Sequence, residues 1–135
     1  ASVVNRTGST YMAYCFAEKQ GYSKFKKYTG NGNANGPFVH TGFKPAWVLI
    51  KLSSGSGNSW MIFDNKREGY NPDNDALFAD VDGTETTTDY IDFLSNGFKI
   101  RSNSSAVNTS GATYIYAAFA ESPFVNSNGV PTNGR

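Results

Sequence analysis

The sequence predicts an all-β fold, an antiparallel β-sandwich of about eight to ten short strands, with a jelly roll among the arrangements open to it. Three observations predict it. Aromatic residues are abundant (10 Phe, 8 Tyr, 2 Trp), and they suit a pleated, half-buried surface. The chain carries Gly 14 together with many Asn, Ser and Thr, the residues from which turns are built. Its apolar runs are short and alternate with those turns, and none has the length and period of an amphipathic helix.

The elements follow in order. Residues 10–17 (TYMAYCFA) and 113–120 (TYIYAAFA) are apolar or aromatic on both faces, the pattern of central strands covered on both sides. Residues 22–29 (YSKFKKYT) carry Lys24, Lys26 and Lys27 and read as a half-solvated strand. Residues 30–36 (GNGNANG) are a long turn, because Gly and Asn tolerate positive φ. Residues 37–41 read as a short edge strand. A strong strand at 46–52 opens after Pro45 and returns through a glycine-serine turn into 59–64 (SWMIFD). Beyond the polar stretch 65–75, a short run at 76–79 and an acidic, Thr-rich loop at 80–89 precede a hairpin. Its arms are 90–94 and 98–101, turning at Ser95-Asn96-Gly97. The tail 122–135 is polar, holds Pro123 and Pro131, and reads as an extended surface segment.

An internal repeat organises the chain. Residues 2–18 read SVVNRTGSTYMAYCFAE and residues 105–121 read SAVNTSGATYIYAAFAE. The match is gapless at a constant offset (105 − 2 = 103), with nine of 17 positions identical, Asn5/Asn108, Gly8/Gly111, Tyr11/Tyr114 and Phe16/Phe119 among them. Self-similarity at a fixed interval is the mark of tandem architecture. The expected organisation is therefore residues 1–18 as the closing strand of a preceding copy or a donor-like strand, residues 19–121 as one β-sandwich, and residues 122–135 as a tail. On this reading the chain is a section of a longer protein, and 10–17 (Thr10, Tyr11, Met12, Ala13, Tyr14, Cys15, Phe16, Ala17) is an assembly strand.

Composition narrows the partners. Lys+Arg 12 against Asp+Glu 11 leaves a formal charge of +1, so no basic face for nucleic acid is expected. The longest apolar run, residues 46–50, is far below the ~20 residues of a membrane span, and membrane insertion is not expected. The single cysteine, Cys15, cannot form an internal disulfide and is expected to pack in a core.

Chemistry-bearing patterns are sparse. His40 is the only histidine, has no Cys or His beside it, and reads as structural. There is no G-x-S-x-G elbow and no phosphate loop. Asp73 and Asp75, with Asn74 between them, and Asp80 and Asp82, followed by Gly83, are oxygen-rich runs of the kind that bind Ca²⁺, without the spaced ligand set of an EF-hand. Glu68 and Glu85 show no glycosidase-like spacing with these acids. Trp47, Trp60 and Tyr70 are aromatic platforms on which a sugar ring can stack; both tryptophans fall in strands, where core packing competes with that role. Tyr70 and Trp60, with Asn65, Arg67, Asp73 and Asn74 as hydrogen-bonding neighbours, form the expected ligand set.

The strings YTGNG (28–32), GFKPAWVLIK (42–51), WMIFDNKREGYNPDND (60–75) and YIYAAFAE (114–121) resemble a domain of unknown function found in virion structural proteins of marine bacteriophages, which infect cyanobacteria and other ocean bacteria. The resemblance covers nearly the whole chain. It implies tandem copies near laminin-G-like or fibre-like modules and a location on the virion surface, and it supplies no catalytic residues. The expectation is thus a non-enzymatic tail-fibre or surface-fibre domain with host-surface glycan adhesion. The alternative is a self-assembling fibre or shell subunit joined by donor-strand exchange through residues 1–18, and a polysaccharide depolymerase ranks last. Expected partners are other copies of itself, adjacent virion domains and a host glycan.

Overall fold

The computed structural model describes residues 4–67, 71 and 75–130. Among these the chain is all-β, with eight strands and no helix. They are β1 (Ser23–Thr29), β2 (Phe38–His40), β3 (Pro45–Leu52), β4 (Met61–Asp64), β5 (Leu77–Phe78), β6 (Ile91–Leu94), β7 (Gly97–Ile100) and β8 (Thr113–Ala120). One antiparallel sheet has the order β1-β8-β3-β4-β5 and the other β2-β7-β6. β3–β4 and β6–β7 are hairpins, whereas the connections after β1, β2, β5 and β7 each cross between sheets.

Alternation decides what fills the space between the sheets. In β3, Val48 and Ile50 point inward, level with Ala118 and Tyr116 of β8 on one side and with Phe63 and Met61 of β4 on the other. The smaller sheet contributes Val39, Ile91, Phe93, Phe98 and Ile100. The Phe98 ring spans the layers, edge-on to Tyr116 at 5.3 Å and to Tyr28 at 6.2 Å. Three tyrosines lie in this core, and two of them have their hydroxyls bonded to backbone carbonyls. Tyr28 donates to Val107 O at 2.7 Å and Tyr114 to Ser105 O at 2.7 Å, with the two rings stacked at 5.1 Å.

The turn before β8 is held by one buried amide. Asn108 is fully buried. Its Nδ2 donates to Ser102 O (2.8 Å), Asn33 O (2.7 Å) and Asn31 Oδ1 (3.0 Å), and its Oδ1 accepts from Asn31 N (2.8 Å). The 30–36 turn is thereby fastened to the strand entry, as the buried cost of an amide requires.

Four expectations need correction. Residues 10–17 form no strand, and the place between β1 and β3 is taken by β8. Cys15 is consequently exposed rather than packed in a core. β8 itself is central but covered on one side only: Tyr114, Tyr116 and Ala118 are buried, while Ile115 on the opposite face is 42% exposed. Gly97 belongs to β7 rather than to the turn, since it pairs with Leu94 and leaves Ser95-Asn96 as a two-residue loop. The residue is glycine because a Cβ there would strike Val39 O of the paired β2 backbone. The described part of the tail, up to residue 130, closes a tight turn from Asn126 to Val130, and Gln20 Nε2 donates to Gly129 O at 2.6 Å.

Three outcomes follow for stability. Gly97→Ala should cost at least ~2 kcal/mol in chemical denaturation, since backbone and not a movable side chain blocks the methyl. Asn108→Ala should cost about 3 kcal/mol, because it strands several polar groups of the 30–36 turn at once; loss of under ~1 kcal/mol would show that water replaces the amide. Burial, with the Glu18 charge adding to it, pushes the Tyr116 hydroxyl up to about 12, and burial drives Tyr28 upward too. The unfolded chain ionises near the ordinary pKa of about 10. The tyrosine share of stability should therefore be fully present below pH ~10 and fall as pH rises toward 12, by roughly 1–2 kcal/mol for Tyr116 after allowing for solvent screening. Tyr116→Phe should remove that share of the alkaline transition.

Candidate functional site: the outer face of the larger sheet

The same alternation that fills the core leaves a second row of side chains on the far side of the five-stranded sheet. Register aligns Phe25 with Ala117 and Lys27 with Ile115 across β1 and β8, and Trp47, Leu49 and Lys51 with Phe119, Ala117 and Ile115 across β3 and β8. Ile62 of β4 and Leu77 of β5 continue the row. An outer face of an antiparallel sheet is ordinarily polar; this one is largely apolar.

It has two parts. At one end Phe119 is ringed by aromatic side chains, with Trp47 at 5.6 Å, Phe25 at 5.8 Å, Phe16 at 5.9 Å and Tyr22 at 6.0 Å. Phe16 reaches this cluster from the N-terminal segment and stacks on Phe25 at 5.9 Å, yet remains 67% exposed. Toward the other end lies an open groove of about 500 Å³, lined by Phe25, Leu49, Ile115, Ala117 and Trp60 with Lys26, Lys27 and Lys51. Trp60 is 38% exposed and its backbone N–H donates to Asp80 Oδ1 at 3.0 Å. Lys51 Nζ is held by Asn58 O (2.5 Å) and Gly57 O (3.3 Å), whereas Lys27 is exposed.

The expected ligand set is not one cluster. Trp60 precedes β4 and Asn65 follows it, which separates them by roughly 16 Å at strand rise. Asn65 Nδ2 donates to Glu121 Oε1 at 2.9 Å, and Arg67 pairs with Asp64 at 2.9 Å and with Glu85. Tyr70, Asp73 and Asn74 lie outside the described residues. Of the calcium candidates, Asp73 is likewise outside them, Asp75 is buried, and Asp80 and Asp82 are exposed in the following loop. Among the described residues no group of three or more His, Cys, Asp or Glu side chains converges on a metal-sized space.

A second, polar cleft of about 620 Å³ lies beside His40, with Glu18, Lys19, Gln20 and Lys24 along it. Several of its polar groups are engaged with one another or with backbone. Lys24 donates to Glu18 at 2.8 Å, which holds that carboxyl below its usual range. Ser23 Oγ donates to Ala17 O at 2.9 Å and Thr41 Oγ1 to Phe43 O at 2.5 Å.

Sequence reasoning missed the outer groove. Its signal lies in β1, β3 and β8, where apolar residues occupy both parities of the alternation; in β8 that pattern reads as a strand covered on both sides, and in β1 the lysines make the strand read as half-solvated.

No curated protein and no solved structure matches the chain. A family model does match over residues 1–123, a span that takes in both the N-terminal segment and β8, and the chain accordingly belongs to the DUF7483 family, a domain of unknown function.

Proposed function

We propose that this domain is a non-catalytic module of a phage virion appendage, a tail-fibre or surface-fibre domain that adheres to host-surface glycan through the outer face of its larger sheet. The observation that carries the reading is the open groove beside Trp60. A sheet face offers a rigid platform, a pyranose packs its apolar side on an aromatic ring, and Leu49, Ile115 and Ala117 extend that floor. Lys27 at the rim favours a sugar bearing carboxylate, sulfate or phosphate. The virion setting is supported by the resemblance of the 28–32, 42–51, 60–75 and 114–121 strings to phage structural domains.

A second reading, assembly with neighbouring domains, is favoured by the N-terminal segment, whose repeat of β8 has no counterpart role within this sandwich.

The adhesion reading is tested by probing arrays of acidic and neutral glycans with the full chain. Binding should select acidic glycans, fall at least about tenfold in Trp60→Ala and Lys27→Glu, and leave the thermal midpoint of both variants near that of the parent. Capture that is unchanged by both substitutions, or no capture at all, would refute adhesion at this face.

A further inference from the structure

The N-terminal segment repeats more of β8 than its sequence. In this domain the turn leading into β8 is closed by Ala112 N donating to Thr109 O at 3.1 Å and by Thr109 N donating to the Tyr114 hydroxyl at 2.8 Å. In the N-terminal segment Ser9 N donates to Arg6 O at 3.2 Å, and Arg6 N donates to the Tyr11 hydroxyl at 2.8 Å. Subtracting 103 converts each residue of the first set into its counterpart in the second. The glycines at the turn agree as well, Gly111 at φ 74° and Gly8 at φ 77°. The segment thus holds the entry turn of β8 although it is exposed and lies in no sheet.

Its residues are those of a buried strand, yet they are exposed. Asn108 and Tyr114 are buried here because they fasten β8 to its surroundings. Their counterparts Asn5 and Tyr11 are both exposed in the present structure. Met12, Tyr14 and Phe16 are 80%, 82% and 67% exposed, a cost in water that a sheet neighbour would remove.

The slot in this chain is not the one the segment fits. β8 fills the core with Tyr114, Tyr116 and Ala118; the repeat supplies Tyr11, Ala13 and Cys15 at the same positions. Ala13 would leave empty the space where the Tyr116 ring packs 5.3 Å from Phe98, and Cys15 would push a sulfur into the place of the fully buried Ala118. An interior packed to solid density resists both changes. The bulky residue has moved by one position in the repeat, from Tyr116 on the inner face to Tyr14 on the outer.

We infer that residues 5–17 complete the sheet of a second, divergent copy of this domain, lying between its β1-like and β3-like strands, and that the Ala13–Cys15 pattern excludes exchange with an identical copy. The partner is a β-sandwich of the same kind whose core is fuller opposite Ala13. Adjacent copies are then joined through Glu18–Gly21, with Phe16 resting on Phe25 and Phe119 of the next. The inference rests on the modular part of the proposed function and is indifferent to glycan binding.

The experiment uses the full chain and two arm variants, refolded from denaturant at high protein concentration and measured by light scattering after size exclusion. Substitution in the exposed arm leaves the domain's own core intact. The parent should be monomeric with a reactive Cys15 thiol. A13Y/C15A, whose arm equals β8 at every core position, should exchange strands and give dimers or longer chains. A13Y, which keeps the sulfur opposite the place of Ala118, should exchange less than A13Y/C15A, and in the fraction that exchanges Cys15 alkylation should slow at least about tenfold, because the thiol is then buried. Monomers throughout would overturn the equivalence of the arm with β8. Parent oligomers abolished by Tyr11→Asp would overturn its selectivity for a divergent copy.

Discussion

The sandwich depends on how β8 is fixed at its entry. β8 is bonded to both β1 and β3, so its register sets which residues of three strands face the core. That register is held where the strand begins. Asn108 ties the entry turn to the 30–36 turn and to Ser102, and Tyr114 locks the same turn by accepting from Thr109 N while donating to Ser105 O. A slip of one residue would turn Ile115 and Ala117 inward and expose Tyr114 and Tyr116. Buried polar groups that are fully satisfied in one arrangement only are well suited to forbid that slip. Gly30 fits the same economy of space: a Cβ there would strike Thr109 O, so the two turns meet backbone to backbone.

Once the register is fixed, the two faces of the sheet follow, and they differ in kind. The inner face is closed by the second sheet through Phe98. The outer face carries Phe25, Trp47, Leu49, Ile115 and Phe119, and the N-terminal segment lies against it at Phe16. The lysines at its edge do not make it polar, since long side chains lay apolar stems along such a surface and keep their charges in water. The floor of the groove beside Trp60 is therefore a consequence of strand composition. That makes it rigid, which suits recognition by shape more than by induced closure.

The strands were legible in the sequence to within a residue or two. Alternation and Asn-Gly-rich punctuation are local signals, and β3, β6 and β8 carry them strongly. Three features were not legible, each for a reason that lies outside its own segment. Gly97 resembles a turn glycine because it follows Ser95-Asn96; the reason a glycine stands there is the approach of β2, nearly sixty residues earlier in sequence. The outer face reads like a buried one because composition reports apolarity and not what covers it. Trp60 and Asn65 look like neighbours in sequence but stand at opposite ends of β4, since a strand spends its length carrying residues apart.

The N-terminal segment states the general lesson most sharply. Residues 10–17 and 113–120 share a pattern, but only the second is a strand, and the difference is not propensity. A β-strand is a pair of hydrogen-bonding edges, and an edge has no structure to adopt until a neighbour supplies the other half. The entry turn is different: its bonds run between residues three and five apart, so it forms wherever its sequence occurs. That is why Arg6, Gly8 and Tyr11 keep the geometry of Thr109, Gly111 and Tyr114 while the residues after them do not. Local interactions are inherited with the sequence, whereas ladder pairing must be found in a partner. A preformed turn followed by an exposed apolar run outside any sheet is the state expected of a strand separated from the sheet it was built to complete.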